Sequence, residues 1–379
     1  SPEPSAMSGL RVLNICTAAM LLLLLAKPLD SAQTRDPFYI IAHMTNSPHS
    51  LDWAIREGAN AVEADIQYDG YGNPTEFEHR GFCDCSCPHP GSYHICSHSL
   101  RGCSGRGASA SASSHLRHMA RLPGLALIIL DGKVDPKWGD RLATAGANIA
   151  RLVERELFGN GYRGKVVISA GKINCFENVY AAARTASGFR NKDRYYFSFD
   201  QEGDKYSSVA AMLSRFTRKR AFGTGISACA PGTYYSGIRQ AVAGVRSGQI
   251  GLTYIWTLDK ESSMKSYINL GVHGIITNRP GLLKKLAGKL GLRLARPGDA
   301  IPIARADVSS PNNCDCDYHK GGCTISSPAP PFKACRCKYK GFWTCGGSVV
   351  SCSSSNFKCR NPDGSRASCR IGGGDCGGY

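Results

Sequence analysis

Acidic residues are scarce in this chain: its 379 residues carry 29 Asp and Glu against 46 Lys and Arg, a net charge of +17. Such a balance favours anionic partners, whether membrane surfaces, phosphate groups or nucleic acid. There is no block of basic residues and no recognition-helix pattern, so no nucleic-acid partner is expected. Beyond residue 32 no run is apolar enough to span a bilayer, which excludes a transmembrane segment from the expected mature chain. No N-x-[ST] acceptor occurs with x other than Pro, so N-glycosylation is not implied. A Gly-rich phosphate loop is also missing after the first strand candidate, where the chain reads Ala42-His43-Met44-Thr45-Asn46. That absence argues against an open, doubly wound nucleotide-binding sheet.

Cysteine, by contrast, is plentiful: there are 18, crowded at 83–103 and 314–376. Arg11 precedes the apolar stretch Val12–Ala26, Lys27-Pro28 breaks it, and Asp30-Ser31-Ala32 offers a small residue for cleavage. This is a signal-peptide layout over residues 1–32, with Met7 as the start and Ser1–Ala6 upstream of it. The mature protein is therefore expected to be secreted and extracellular. In an exported chain, crowded cysteines read as disulfides.

Apolar strand-like runs then alternate with helical patterns. The strand candidates are Tyr39–Met44, Ala61–Tyr68, Leu125–Lys133, Lys165–Ala170, Arg194–Asp200, Ala221–Cys229, Gly251–Asp259 and Gly274–Asn278. Helix candidates between them include Ser50–Glu57, His115–Arg121, Trp138–Phe158 and Gly281–Leu290. Eight strands, each followed by a helix, fit an α/β fold, the (β/α)₈ TIM barrel, over 36–291. Residues 292–313 read as a linker, and 314–379 as a small disulfide-rich C-terminal module with ten cysteines. A module that small and polar needs staples in place of a core. A zinc site is the rival reading, but the pairs Cys314/Cys316 and Cys335/Cys337 lack the usual ligand spacing. Neither the partner of this module nor its connectivity is readable.

A barrel carries its chemistry at the C-terminal ends of its strands, and polar residues fall there repeatedly. Glu63 and Asp65 are two apart on the second candidate strand and so share a face. His43 ends the first strand, His79 follows the second, Asp131 and Lys133 end the third, Trp256 and Asp259 end the seventh, and Asn278 ends the eighth. Paired carboxylates repel unless a cation or proton lies between them, and Mg²⁺ takes such oxygen ligands. Histidine suits proton transfer near neutral pH.

The residues His43–Asn46 (HMTN), Gly58–Asp69 (GANAVEADIQYD), Glu78–Cys85 (EHRGFCDC), Leu130–Lys133 (LDGK), Tyr254–Lys260 (YIWTLDK) and Gly274–Pro280 (GIITNRP) occur in an order that resembles the sphingomyelinase D / phospholipase D toxins of spider venom. That family is related to the glycerophosphodiester phosphodiesterases. The resemblance implies a TIM barrel with one Mg²⁺ held by Glu63, Asp65 and Asp131. It implies His43 and His79 as the acid–base pair, Lys133 beside the phosphate, and Trp256, Asp259 and Asn278 shaping the pocket and holding it together. It also implies a bridge between Cys85 and Cys229, and a loop bridge from Cys83 to Cys87 or a nearby cysteine. The chain departs from the family in its rebuilt loop 88–114, in its cysteine-rich module, and at 292–306, which lacks the tail motif that plugs the barrel's base.

The expected function is that of a secreted Mg²⁺-dependent phospholipase D-type lyase. Its substrates would be choline- or ethanolamine-headed sphingolipids and lysophospholipids at membrane or lipoprotein surfaces, and its products cyclic phosphates. Hydrolysis by water, as in a glycerophosphodiester phosphodiesterase, is the alternative reaction. A non-catalytic binding protein acting through its cysteine-rich module is the alternative of another class.

Overall fold

The computed structural model describes residues 37–79, 111–226, 228 and 233–305, together with the backbone of five short strands between 317 and 371. The expected leader, Cys83, Cys85, Cys87 and Cys229 lie outside the described residues, and so do the bridges expected of them.

Eight parallel strands form the centre: β1 (Tyr39–Ala42), β2 (Ala61–Tyr68), β4 (Leu127–Gly132), β5 (Lys165–Ala170), β6 (Tyr195–Phe199), β7 (Ala221–Gly225), β8 (Leu252–Trp256) and β9 (Gly274–Thr277). β1, β2, β4, β6, β7 and β9 are buried along their whole length, as expected of strands covered on both faces, which read as continuous apolar runs. Their order is β6-β5-β4-β2-β1-β9-β8-β7. The two ends meet through one parallel bridge, Phe197 with Arg220, where the Phe197 N–H donates to the Lys219 carbonyl at 2.9 Å. The sheet thus closes into the expected barrel, with β6–β7 as its thinnest seam.

Eight helices follow: α1 (Pro48–Glu57), α2 (Ala112–Ala120), α3 (Arg141–Leu152), α4 (Phe176–Ser187), α5 (Tyr206–Ser214), α6 (Tyr235–Arg246), α7 (Glu261–Leu270) and α8 (Pro280–Lys289). Ser47 and Ser50 form a capping box at the start of α1, and Gly58 ends it with φ +98°. The helix expected over Trp138–Phe158 is divided. Pro136–Trp138 is a separate 3₁₀ turn, Gly139 takes φ +56°, and the helix proper begins at Arg141 and finishes in a π turn, Val153–Leu157. None of the helices of the described residues is long and apolar enough to cross a membrane.

Two features differ from the sequence reading. First, the chain after β2, which holds no strand candidate, returns as a short strand, β3 (Pro74–Phe77), paired antiparallel with β2 through Ile66↔Phe77 and Tyr68↔Pro74. β1 pairs with β2 only as far as Val62, so the edge of β2 beyond it is open to β3. Second, residues 292–305 do not form a free linker. Phe38 bridges Leu294, the Asn60 amide donates to the Ala295 carbonyl at 2.9 Å, and the Tyr196 hydroxyl donates to the Ile301 carbonyl. Ala295 and Ile301 complete the inner core of Tyr39, Ile41, Leu127, Ile129, Val167 and Tyr196. This segment plugs the base of the barrel without the family's tail motif. A second apolar cluster fills the space between barrel and helices.

Among the C-terminal residues, Asp317–His319 pairs antiparallel with Gly322–Thr324, and Gly341–Cys345 pairs with both Ser348–Cys352 and Cys369–Ile371.

Candidate metal and acid–base site

β2 presents Glu63 and Asp65 on one face, and in-register pairing sets Asp131 of β4 beside Asp65. All three are buried, and one carboxylate oxygen from each lies within 4.8 Å of the others. The loop after β1 secures the β2 pair. The Met44 N–H donates to Glu63 Oε2 at 2.7 Å. Asn46 donates from Nδ2 to Asp65 Oδ2 at 2.7 Å and accepts the Asp65 N–H on Oδ1 at 2.8 Å.

Lys133 reaches back over this cluster. Its ammonium pairs with Asp65 Oδ1 at 2.7 Å and with Asp131 Oδ2. Burial and then the Asp65 charge push the Glu63 carboxyl well above the usual range, with the Lys133 ammonium and, less strongly, the Met44 N–H opposing them. Burial would raise Asp65 too, but Lys133, His79 and the hydrogen bond from Asn46 outweigh it and hold that carboxyl low. Burial opposes the charge on Lys133, yet the carboxylates of Asp131, Asp65 and Glu63 keep its ammonium well above its ordinary value. The donor set fits a hard divalent cation. It is all carboxylate oxygen, and Asp131 Oδ1 is buried with no hydrogen-bond partner.

His43 and Asn278 sit at the ends of β1 and β9, neighbours in the barrel. His43 Nδ1 lies 2.8 Å from Asn278 Oδ1. The Asn278 amide is oriented by Asp259, whose carboxylate accepts from Asn278 Nδ2 and the Asn278 N–H at 2.8 Å each, and from the Thr277 hydroxyl at 2.9 Å. Oδ1 therefore faces the imidazole, so Nδ1 carries the proton and Nε2 is the basic nitrogen of the neutral ring. Asp259 is engaged on both oxygens and fully buried. Its carboxylate contacts run to Thr277 and Asn278.

His79 follows β3, half-buried, close enough to Asp65 to stabilise that carboxylate, with a buried, unpartnered Nδ1. The Glu78 N–H donates to the Asp65 carbonyl at 2.9 Å, so the β2–β3 pairing sets its position. Trp256 Nε1 donates to the Asp200 carbonyl at 3.0 Å. Beside Asp131 and Lys133 opens a cavity of about 300 Å³, also lined by Asp135, Lys172, Asn174 and Gln201.

Two residues of the site were not singled out from the sequence. Asn46 stands in the HMTN motif, but its hold on Asp65 needs the fold. Asp200 directly follows β6 and is buried; burial and the Asp131 charge push its carboxyl well above the usual range. Its signal was present: an acid closing an apolar strand, the same pattern as Asp131.

The model of the dermonecrotic toxin SPH family matches residues 33–296. A dermonecrotic toxin of Loxosceles intermedia, LiSicTox-alphaIA1bii, is 26% identical over 273 residues, covering 67% of this chain and 84% of the toxin. The toxin LsSicTox-alphaIA1 of Loxosceles similis is 26% identical over 271 residues, 66% of this chain and 90% of its own. Among solved structures, a putative glycerophosphoryl diester phosphodiesterase of Silicibacter pomeroyi aligns with a TM-score of 0.49 at 14% identity, covering 69% of this chain and 98% of that one.

Proposed function

The chain belongs to the dermonecrotic toxin SPH family, and from that premise we propose that it is a secreted phosphodiester-cleaving enzyme of the phospholipase D type, dependent on a divalent cation, Mg²⁺ by its oxygen donors. The observation that carries this reading is three buried carboxylates within 4.8 Å of one another, held by Met44 and Asn46 of the loop that begins at His43, whose Nδ1 faces the Asn278 amide oxygen. Its substrates are choline- or ethanolamine-headed sphingolipids and lysophospholipids at a membrane or lipoprotein surface.

Glu63, Asp65 and Asp131 hold the cation. When bound, it supplies positive charge against the phosphate oxygens. Lys133 adds a second positive charge at the same place, where charge develops in the transition state. His43 Nε2 takes the proton from the substrate's own neighbouring hydroxyl. That oxygen bonds to phosphorus, the bond from phosphorus to the head-group oxygen breaks, and His79 donates the proton the departing alcohol needs. A cyclic phosphate and a free amino alcohol result, and solvent returns the proton from His43 to His79. Asp259 and Asn278 keep His43 in the required tautomer, and Trp256 forms part of the mouth.

A panel of these lipids followed by ³¹P NMR, with and without EDTA, tests the reaction. A cyclic phosphate that disappears with EDTA is the expected product. Only monoester from the first turnover overturns cyclisation in favour of attack by water. Full activity in His43→Ala overturns the acid–base assignment.

A further inference from the structure

The loop that secures the acids is strained and has an outer attachment. Met44 takes φ +49°, and the Asn46 N–H turns back to the Met44 carbonyl at 2.8 Å, enclosing Thr45 in a three-residue turn. Conformations of this kind persist only where their surroundings over-determine them. From within, the Thr45 N–H and hydroxyl both donate to the Glu63 carbonyl at 2.9 Å. The carbonyl of Thr45 is met from outside, by the ring of His115 on α2, with Nε2 at 2.7 Å.

A carbonyl only accepts, so Nε2 carries the proton. His115 is fully buried, and the edge-on ring of Phe77, 5.0 Å away at 65°, fixes its orientation. Its Nδ1 has no partner, and burial pushes the pKa down to about 4, so the ring is neutral and donates through Nε2. The helix beneath it is anchored as well. Ser111 bridges Glu76, His118 Nε2 lies 2.7 Å from an Asp52 carboxylate oxygen, and Arg117 meets Glu156 at 2.6 Å.

We propose that His115 is a positioning residue: through the Thr45 carbonyl it holds residues 43–46 in the conformation that directs the Met44 N–H to Glu63 and Asn46 to Asp65. It touches neither substrate nor cation. Its kinetic consequence rests on the phosphodiesterase reading above; its structural consequence does not.

The test compares the full chain with His115→Leu, which removes the donor, and His115→Gln, which retains an N–H of similar reach. In His115→Leu, amide hydrogen exchange at Met44, Thr45 and Asn46 should quicken about tenfold or more while β5 amides are unchanged. Mg²⁺ affinity by titration calorimetry should fall about tenfold or more, and kcat by a similar factor with KM little changed, as for other outer supports of a metal site. His115→Gln should recover most of each loss. Unchanged exchange at those three amides overturns the proposal, and so does a Gln variant no better than Leu. Should His115→Leu not fold, His115→Asn against His115→Gln, which differ in reach, gives the same comparison. A parent chain that neither binds Mg²⁺ nor turns over lipid counts against the phosphodiesterase reading instead, and the exchange measurement still decides the role of His115.

Discussion

The mouth and the base of this barrel are built to opposite rules. At the base, Asn60 uses its whole amide: Oδ1 accepts the Ile40 N–H, and Nδ2 donates to the Phe38 and Ala295 carbonyls. Ile301 and Ala295 cover the inner core there. At the mouth, four buried acids crowd together, and Asp131 Oδ1, Asp200 Oδ1 and His79 Nδ1 are buried with no hydrogen-bond partner. Buried polar groups are normally satisfied, and these three unmet atoms belong to the side chains gathered around the acid cluster. The same strands thus carry stability at one end and stored electrostatic cost at the other.

The sharpest way to break this comparison is Glu63→Gln. The amide oxygen still accepts the Met44 N–H, while the repulsion with Asp65 and Asp131 is relieved. Turnover should fall about a thousandfold with melting temperature unchanged or higher; retained turnover would contradict the role given to the acids. Asp259→Ala should affect both properties. Three donors lose their acceptor, costing about 3 kcal/mol in urea unfolding, and His43 loses its orienting chain, lowering kcat about a hundredfold. A loss of stability alone would remove Asp259 from the proposed mechanism.

The base should behave in the reverse manner. Ile301→Ala should cost about 3 kcal/mol of stability by cavity formation and leave kcat within twofold of the parent. An equal loss of activity would mean that the two ends are coupled. The smallest effect is one of pH. His115 is neutral in the folded chain, with a pKa near 4 against 6.5 when unfolded. The unfolded chain therefore takes up a proton that the folded chain refuses. Stability should drop as pH falls below 6.5, by about 2 kcal/mol at pH 5. The difference in urea midpoint between the parent and His115→Gln should narrow accordingly, and a flat difference would contradict the buried neutral ring.

How much of this was legible in the sequence follows the distance over which each contact acts. The strands were legible because burial on both faces writes a continuous apolar run, and Glu63 and Asp65 because a two-residue spacing fixes a shared face. His43, His79, Asp131 and Lys133 were found as residues closing strands or following them. β3 is absent from the strand candidates because its four residues, beginning with Pro74, have little strand signature of their own; pairing with β2 makes it a strand. The plug at 292–305 has no period of either kind. It is held by partners such as Asn60, 235 positions away from Ala295, and Tyr196, 105 away from Ile301. His115 and Asn46 were missed for the same reason: their partners are set by the fold and not by spacing.

The plug also determines where the chain departs. Arg305 leaves the barrel beside Gly248, whose carbonyl accepts its N–H at 2.7 Å, on the face opposite the acids. A change in the chain beyond residue 305 therefore starts from the end of the barrel away from Glu63, Asp65 and Asp131, and can accumulate without altering the strand ends that carry them.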